Sequence, residues 1–230
     1  MWRKKPKTAA EFAADLQADS SFVTRRQELD QTRQEETQQH RLVALPIMEE
    51  LQQAGFPFES LDELRRSGIV YKAAVPILLK WLSLISDVGV QESIVRALSV
   101  PWAKPKAAVP LIALFLDAST GSSGLKWAVG NALEVVADES VFDQLCELAR
   151  DRRHGTARQM IVLALRKAKN PRAVDVLIEL LEDDEVSGHA LSSLSKLKTE
   201  KARPHIERFL DDPRAWVRRE ATRALARLDN

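Results

Sequence analysis

The segment AVPILLKWL at residues 74–82 sets the pattern for most of the chain, because the same arrangement of apolar residues returns four more times. Its fifth, eighth and ninth positions are apolar, and positions so spaced lie on one face of an α-helix. Successive copies begin 34, 33, 32 and 29 residues apart, as AVPLIALFL at 108–116, VFDQLCELA at 141–149, AVDVLIELL at 173–181 and ARPHIERFL at 202–210. We therefore expect five amphipathic first helices, one in each copy.

A second apolar pattern follows each first helix and ends with a small residue and then leucine, as at Ala97 and Leu98. The small residue would let neighbouring helices approach closely. Proline falls in the first turn of three first helices, where its missing N–H costs little, at Pro76, Pro110 and Pro204. The repeated unit is therefore a helix–turn–helix of about 30 residues, which is typical of an α-solenoid.

The last copy, FLDDPRAWVRREATRALARL at 209–228, resembles a HEAT repeat of the bacterial, phycobilin-lyase-associated type. The resemblance covers residues 71–230. It implies an all-α fold, a right-handed α-α superhelix of about five helix pairs. The repeats are expected at residues 71–103, 104–138, 139–169, 170–198 and 199–230.

The same resemblance implies roles for two residues of the last copy. Asp212 and Arg218 match an aspartate and an arginine that form a ladder between adjacent repeats in this family. Arg158 and Lys126 occupy the arginine position in two earlier copies, whereas Gln91 and Ser187 depart from it. We expect no other copy to place an aspartate in register.

The residues before the repeats are predicted to form a helical cap and a charged arm. Residues 41–70 would be the cap, with one helix that Pro46 kinks or begins and a short second helix capped by Ser60 and Glu63. In residues 1–40 no large apolar side chain follows Leu29, so the arm cannot supply a coiled-coil seam. We expect a solvated helix or a partly disordered arm, with ordering on a partner as the alternative.

Composition restricts the classes of function. The 230 residues include one cysteine, Cys146, which excludes an internal disulfide and fits a reducing compartment. No apolar stretch approaches the roughly 20 residues that span a bilayer, and the basic N-terminus lacks the apolar core of a secretory signal. We therefore expect a cytoplasmic protein without membrane contact. Residues 150–230 carry 18 Lys and Arg against 13 Asp and Glu, a smaller excess than a dedicated nucleic-acid binder shows.

A search for chemistry finds no phosphate-binding loop, no Rossmann glycine pattern, no G-x-S-x-G and no H-E-x-x-H. Cys146 lies inside a predicted first helix and is expected to be a core thiol. The acidic run at 182–185 is predicted to favour the dipole of the helix that follows it. The four histidines lie far apart, without ligand partners at metal spacing: His40, His154, His189 and His205. We therefore expect no catalytic residue, no metal and no cofactor.

The second helices line the concave side of HEAT arrays, so their spacing predicts which residues face a partner. The expected surface is a basic stripe with a tryptophan near its head, and tryptophan and arginine often dominate interface energetics. The predicted partner-binding residues are Arg96, Trp127, Asn131, Arg158, Arg166, Lys167, Lys196, Arg219, Arg223 and Arg227. The alternative is a solvated face whose arginines pair with acids of neighbouring helices, with Trp127 packed into the turn at 117–124.

Two functional hypotheses follow. The first is a non-catalytic scaffold or regulator that binds a protein or peptide, with an acidic partner favoured by the basic stripe. The second is a nucleic-acid-binding protein resembling the HEAT-like alkylpurine DNA glycosylases, which place a carboxylate among tryptophans in a basic cleft. Glu134 is the only candidate acid near Trp127, and a second groove tryptophan is lacking. A pigment-lyase activity is supported by the repeat type alone, and no sequence feature indicates an oligomeric state.

Overall fold

The computed structural model describes residues 7–117 and 123–229. The secondary structure within these residues is entirely helical. Two compact units make up the chain, Met1–Leu45 and Pro46–Asn230. None of the helices in the described residues has both the length and the apolar character that crossing a membrane requires.

The first unit contains helix α1 (Ala9–Ala18) and the longer part of helix α2 (Ser20–Gln53). The carboxylate of Asp19 accepts a hydrogen bond from the N–H of Ser21, 2.9 Å away, and so caps the start of α2. Most described side chains in this unit are exposed. Residues 1–6 of the predicted arm lie outside the described residues.

Helix α2 passes through Pro46, so of the two predicted alternatives, a kink or a helix start, the start is excluded. Proline cannot donate to the carbonyl four residues earlier, which removes one hydrogen bond from the helix. The boundary between the two units falls at this residue. Beyond it, Ile47, Met48 and Leu51 are buried, and their packing offsets the lost hydrogen bond.

Helix α3 (Leu61–Arg66) follows, and its start confirms the predicted capping residues. The Ser60 hydroxyl accepts a hydrogen bond from the N–H of Glu63 at 3.2 Å. The Glu63 carboxylate reaches back to the N–H of Glu59 at 2.9 Å, one residue earlier than in the usual reciprocal pattern. Gly68, at a φ of 74°, lies just beyond the helix end.

The rest of the second unit consists of five helix pairs, which confirms the predicted all-α solenoid. The first helices are α4 (Ala74–Leu84), α6 (Ala108–Asp117), α8 (Phe142–Arg150), α10 (Ala173–Glu179) and α12 (Arg203–Glu207). The second helices are α5 (Val88–Leu98), α7 (Ser123–Val136), α9 (Arg158–Leu165), α11 (Ser187–Leu197) and α13 (Ala215–Leu228). Short 3-10 turns, Leu180–Glu182 and Arg208–Asp211, extend α10 and α12.

Two glycines mark where second helices come close together. A Cβ at Gly130 of α7 would lie 2.7 Å from the Cβ of Met160 on α9, closer than real Cβ atoms approach. A Cβ at Gly188 of α11 would lie 1.9 Å from the ring of Trp216 on α13. Glycine at 130 lets α7 and α9 pack at their present separation, and glycine at 188 leaves room for the Trp216 ring between α11 and α13.

Candidate functional site

The second helices form a continuous layer, in which α5 packs against α7, α7 against α9, α9 against α11 and α11 against α13. The first helices make no comparable contacts with one another. The solvent-facing side chains of α5, α7, α9, α11 and α13 are called the second-helix face below. Most of the predicted partner-binding residues lie on this face.

Trp127 projects from α7 and is 52% exposed, so it is not buried in a turn. The alternative prediction placed its ring in the turn at 117–124, and residues 118–122 of that turn lie outside the described residues. Hollows of about 600 Å³ and about 360 Å³, the large and the small hollow, open on either side of the indole. Residues that line the large hollow include Glu92, Arg96, Lys126, Arg153, His154 and Gln159. A large apolar ring standing between two hollows can anchor a partner chain.

The small hollow is bordered by Arg65 of α3, Arg96 of α5 and Asn131 of α7. The Asn131 side chain donates from Nδ2 to the carbonyl oxygen of Trp127 at 2.8 Å. This bond engages one of the two amide hydrogens and leaves the second available. Trp127 and Asn131 are therefore neighbours on one helix face, as their spacing predicts.

Three aspartates lie in register in the turns between first and second helices, which corrects the expectation that only Asp212 does so. Asp151, Asp183 and Asp212 each accept a hydrogen bond from the backbone N–H two residues later, at 3.1, 3.2 and 2.8 Å. This arrangement stabilises the turn in each repeat. All three stand at the same distance from the start of their first-helix segments. Of the three carboxylates, that of Asp183 also accepts a hydrogen bond directly from a neighbouring repeat.

This contact centres on Arg158, which is fully buried. Its Nη1 donates to the carboxylate of Asp183 at 2.8 Å and to the carbonyl oxygen of Ala149 at 3.0 Å. Its Nη2 donates to Glu185 at 2.6 Å, and its Nε donates to the carbonyl of Gly155 at 3.0 Å. Burial favours a higher pKa for Asp183, but the bonds from Arg158 and from the Glu185 N–H outweigh it and lower the pKa.

This geometry overturns the assignment of Arg158 to the partner-binding surface. Every hydrogen-bonding nitrogen of the guanidinium is engaged inside the protein, and the side chain has no exposed area. Arg158 therefore joins the third repeat to the fourth. The partners that sequence reasoning missed, Asp183 and Glu185, belong to the acidic run that was assigned to helix capping.

One repeat earlier, Lys126 occupies the position equivalent to Arg158 and is 6% exposed. Its Nζ lies 3.4 Å from Nδ1 of His154, and His154 Nε2 lies 3.6 Å from the carboxylate of Asp151. Burial lowers the pKa of His154, and the charge of Lys126 lowers it further. The ring is therefore neutral at neutral pH, and Nδ1 acts as acceptor for the lysine. The cation reaches the aspartate of the next repeat only through the imidazole.

The last contact between repeats uses neither residue that the resemblance implied. Arg214 donates to the carboxylate of Asp212 at 2.9 Å and to the hydroxyl of Ser187, in the preceding repeat, at 3.0 Å. Arg218 instead donates to the carbonyl oxygens of Asp212 and Pro213, at 2.6 and 3.0 Å. Asp212 and Arg218 therefore bond within the last repeat and do not form the predicted ladder to the adjacent repeat, and Arg214 makes that connection.

Several cations of the predicted basic stripe are paired with carboxylates of the same face. Arg96 pairs with Glu92, Arg166 with Glu134, and Arg223 with Glu220. The pairing agrees with the alternative interpretation, in which arginines bind acids of the same or neighbouring helices. Glu134, the single acid considered for glycosylase-like chemistry, is therefore paired with the guanidinium of Arg166.

The comparison with family models agrees with this geometry. The family model described as HEAT repeats matches residues 119–188 and 142–226. Residues 119–226 are an array of HEAT repeats. Among solved structures, a designed armadillo repeat protein in complex with the peptide (KR)4 is similar to the chain. It shares 18% identity at a TM-score of 0.47, over 83% of this chain and 98% of that one. No curated protein matches the chain. The bacterial, phycobilin-lyase-associated subtype and the right-handed superhelix stay predictions.

Three cations without a carboxylate partner in the described part of the HEAT array lie where its second helices end. Lys167 and Lys196 are exposed, and Arg227 donates to the hydroxyl of Ser195 at 3.3 Å. Burial lowers the pKa of Lys196, and the nearby charges of Arg166, Lys167 and Arg227 lower it further, against the opposing effect of Glu134. Lysines and arginines at these ends also favour the helix dipoles, so part of the cluster serves stability. Arg219 is exposed on α13.

The structure offers little material for chemistry within the described residues. Cys146 is buried in α8, and burial raises the pKa of its thiol, which favours the unreactive protonated form. No group of three or more His, Cys, Asp or Glu in residues 7–117 and 123–229 could hold a metal ion. His189 packs edge-on against Trp216, with ring centroids 5.6 Å apart.

Proposed function

We propose that this protein is a non-catalytic interaction module that holds a protein segment on its second-helix face, with Trp127 as the anchor. HEAT and armadillo repeat folds are commonly protein-interaction scaffolds. The observation that carries the proposal is the half-exposed indole of Trp127 between two hollows. A tryptophan in that position loses much of its hydration when a partner covers it, which favours binding.

The packing of the layers supports the choice of face. In a curved stack of helix pairs the inner layer is the more closely packed one, and the second helices contact one another along the whole array whereas the first helices do not. We infer that the second-helix face is the concave side. A concave surface contacts an extended segment over several repeats, so modest contacts at each repeat sum to a useful affinity.

The nucleic-acid hypothesis has less support from the same residues. Phosphate binding draws on cations whose charge is free, and each neutralised phosphate adds to the salt dependence of affinity. Arg96, Arg166 and Arg223 are already paired with carboxylates. The unpaired cations at the helix ends, Lys167, Lys196 and Arg227, do not line either hollow beside Trp127, so they do not join its indole in one cleft.

The test is capture of partners from the native host by immobilised protein, followed by mass spectrometry, with two matched variants. Trp127→Ala removes the proposed anchor, and Leu116→Ala removes a side chain on α6 that is similarly exposed, at 56%. We expect Trp127→Ala to weaken capture of a partner by roughly 30-fold, as loss of about 2 kcal/mol implies, with little change in melting temperature. Leu116→Ala should capture as the wild type does.

Equal capture by the wild type and Trp127→Ala would contradict the proposal. A salt titration with generic duplex DNA tests the second hypothesis in parallel. Binding at low salt that falls steeply as salt rises would favour a phosphate-binding function, because counterion release gives that dependence.

A further inference from the structure

Lys126 is a buried cation that lacks a counter-charge. In residues 7–117 and 123–229 no carboxylate lies within ion-pair distance of its ammonium group. Its contacts are the neutral His154, at 3.4 Å, and the ring of Phe115, whose centroid is 5.4 Å from Nζ. Burying an ammonium group is unfavourable unless an opposite charge and hydrogen bonds compensate for its lost hydration. The equivalent Arg158 has two carboxylates for this purpose.

The same lysine lines the large hollow beside Trp127. At about 600 Å³ the hollow is large enough to receive a side chain from a partner. The other charges at its wall are compensated, because Arg96 pairs with Glu92 and Arg153 pairs with Asp151. His154 is neutral, and its buried Nε2 has no hydrogen-bond partner in the described residues. The uncompensated charge of the hollow is therefore that of Lys126.

We infer that the large hollow receives a carboxylate, the side chain of an aspartate or glutamate in the partner segment, which pairs with Lys126 while the neighbouring residues of that segment cover Trp127. This inference rests on the proposed function and specifies the partner's chemistry. A single uncompensated ammonium group matches one carboxylate charge. A phosphate dianion would require further free cations, and the two arginines at the wall are already engaged.

The probes that test this are 3-phenylpropionate and its neutral counterpart 3-phenylpropionamide, which share a ring and differ in the carboxylate. Binding is followed by NMR through the indole N–H of Trp127, assigned with Trp127→Phe. At about 0.3 kcal/mol per non-hydrogen atom, a ligand of this size binds with a dissociation constant on the order of millimolar. We expect saturable shifts with the carboxylate and at least fivefold weaker binding of the amide. Equal binding of both would overturn the inference, as would binding of inorganic phosphate without binding of the carboxylate.

Three variants locate the charge that is responsible. Lys126→Met keeps the aliphatic stem against Phe115 and should weaken 3-phenylpropionate binding at least tenfold. Glu92→Gln removes an acid from the wall and frees Arg96, so binding should strengthen severalfold. Lys201→Met removes an exposed lysine that pairs with Asp175 outside the hollow, and it should bind as the wild type does. Unchanged binding by Lys126→Met would exclude Lys126 as the receiving group.

Melting temperatures separate binding from a purely structural role. Lys126→Met removes an uncompensated buried charge and should melt at or above the wild-type temperature. Arg158→Met leaves the buried Asp183 with only the exposed Arg152 beside it and should lower the melting temperature by about 6 °C or more. A similar loss in Lys126→Met would show that the protein itself satisfies Lys126, and the inference would fail.

Failure of this inference can be told apart from failure of the proposed function by repeating the partner capture with Lys126→Met. Capture that depends on Trp127 but not on Lys126 would keep the interaction face and refute the carboxylate. Capture that depends on neither residue would refute the face itself.

Discussion

Lys126 and Arg158 stand at the same position of two successive second helices, and their surroundings differ completely. Arg158 is enclosed by Asp183, Glu185 and two backbone carbonyls. Lys126 has a histidine and an aromatic ring, and it borders a hollow. A guanidinium has five donors in a fixed plane and suits an enclosed network, whereas an ammonium is a compact charge that one partner can satisfy. The comparison teaches that one repeat position joins neighbouring repeats in one copy and is left open to a ligand in another.

The largest loss of unfolding free energy is expected when the aspartates near Arg158 and Lys126 are replaced. Asp183→Leu leaves Arg158 without the buried one of its two anions, and such a change typically costs about 3–5 kcal/mol of unfolding free energy. Asp151→Leu, the matched control, removes the same turn-capping bond but leaves no enclosed cation, so about 1 kcal/mol is expected. Urea denaturation measures both. Equal losses would mean that the turn bond, and not the buried pair, stabilises this contact.

A smaller loss is expected where the two helices that carry these cations cross. Gly130→Ala places a Cβ 2.7 Å from the Cβ of Met160, so α7 and α9 must move apart. Overpacking of this kind costs about 1–3 kcal/mol, against a gain of about 1 kcal/mol from helix propensity.

Gly124→Ala is the control for this crossing, because its Cβ would meet the nearest atom, a carboxylate oxygen of Glu92, at an ordinary 3.7 Å. It should be neutral or slightly stabilising when both glycine variants are compared by urea denaturation. A stable Gly130→Ala variant would show that the separation of α7 and α9 is not set by this glycine.

The sequence was sufficient to predict the helix pairs, because the apolar period repeats in all five copies and each pair buries its stripe against the next. It was not sufficient for Arg158. The helical spacing of Arg158 predicts an exposed side chain. Its anionic partners, Asp183 and Glu185, lie 25 and 27 residues later, in the next repeat. A signal did exist, since Asp151, Asp183 and Asp212 align when the copies are counted from the first helix. The aspartates do not align when the copies are counted from the second helix, because the turns between first and second helices differ in length.

Protonation of His154 is expected to weaken its contact with Lys126. The pKa of His154 is lowered from its ordinary 6.5, so the folded chain holds fewer protons than the unfolded chain near that pH. Stability is therefore fully present above pH 6.5 and declines as the pH falls towards the lowered pKa, by at most about 1.4 kcal/mol per pH unit for one proton. The melting temperature of the wild type should decrease as the pH is lowered from 7.5 to 5.5.

His154→Gln cannot titrate, so its melting temperature should fall less over the same range. Some decline should persist in this variant, because burial also lowers the pKa of His189. An unchanged pH dependence in His154→Gln would indicate that the imidazole between Lys126 and Asp151 does not resist protonation, and the neutral form inferred for it would be wrong.

The smallest effect is expected from ion pairs between neighbouring first helices, which join the same repeats as Arg158 but lie in water. Arg172 and Asp143 are 2.9 Å apart, and their side chains are 63% and 75% exposed. Because solvent screens such a pair, Asp143→Asn should cost only about 0–1 kcal/mol, and the cost should disappear in high salt. A loss approaching that of Asp183→Leu in urea denaturation would mean that charge pairing stabilises the repeats wherever it occurs. A negligible loss would show that this exposed pair adds little to the cohesion of the third and fourth repeats, in contrast to the enclosed Arg158.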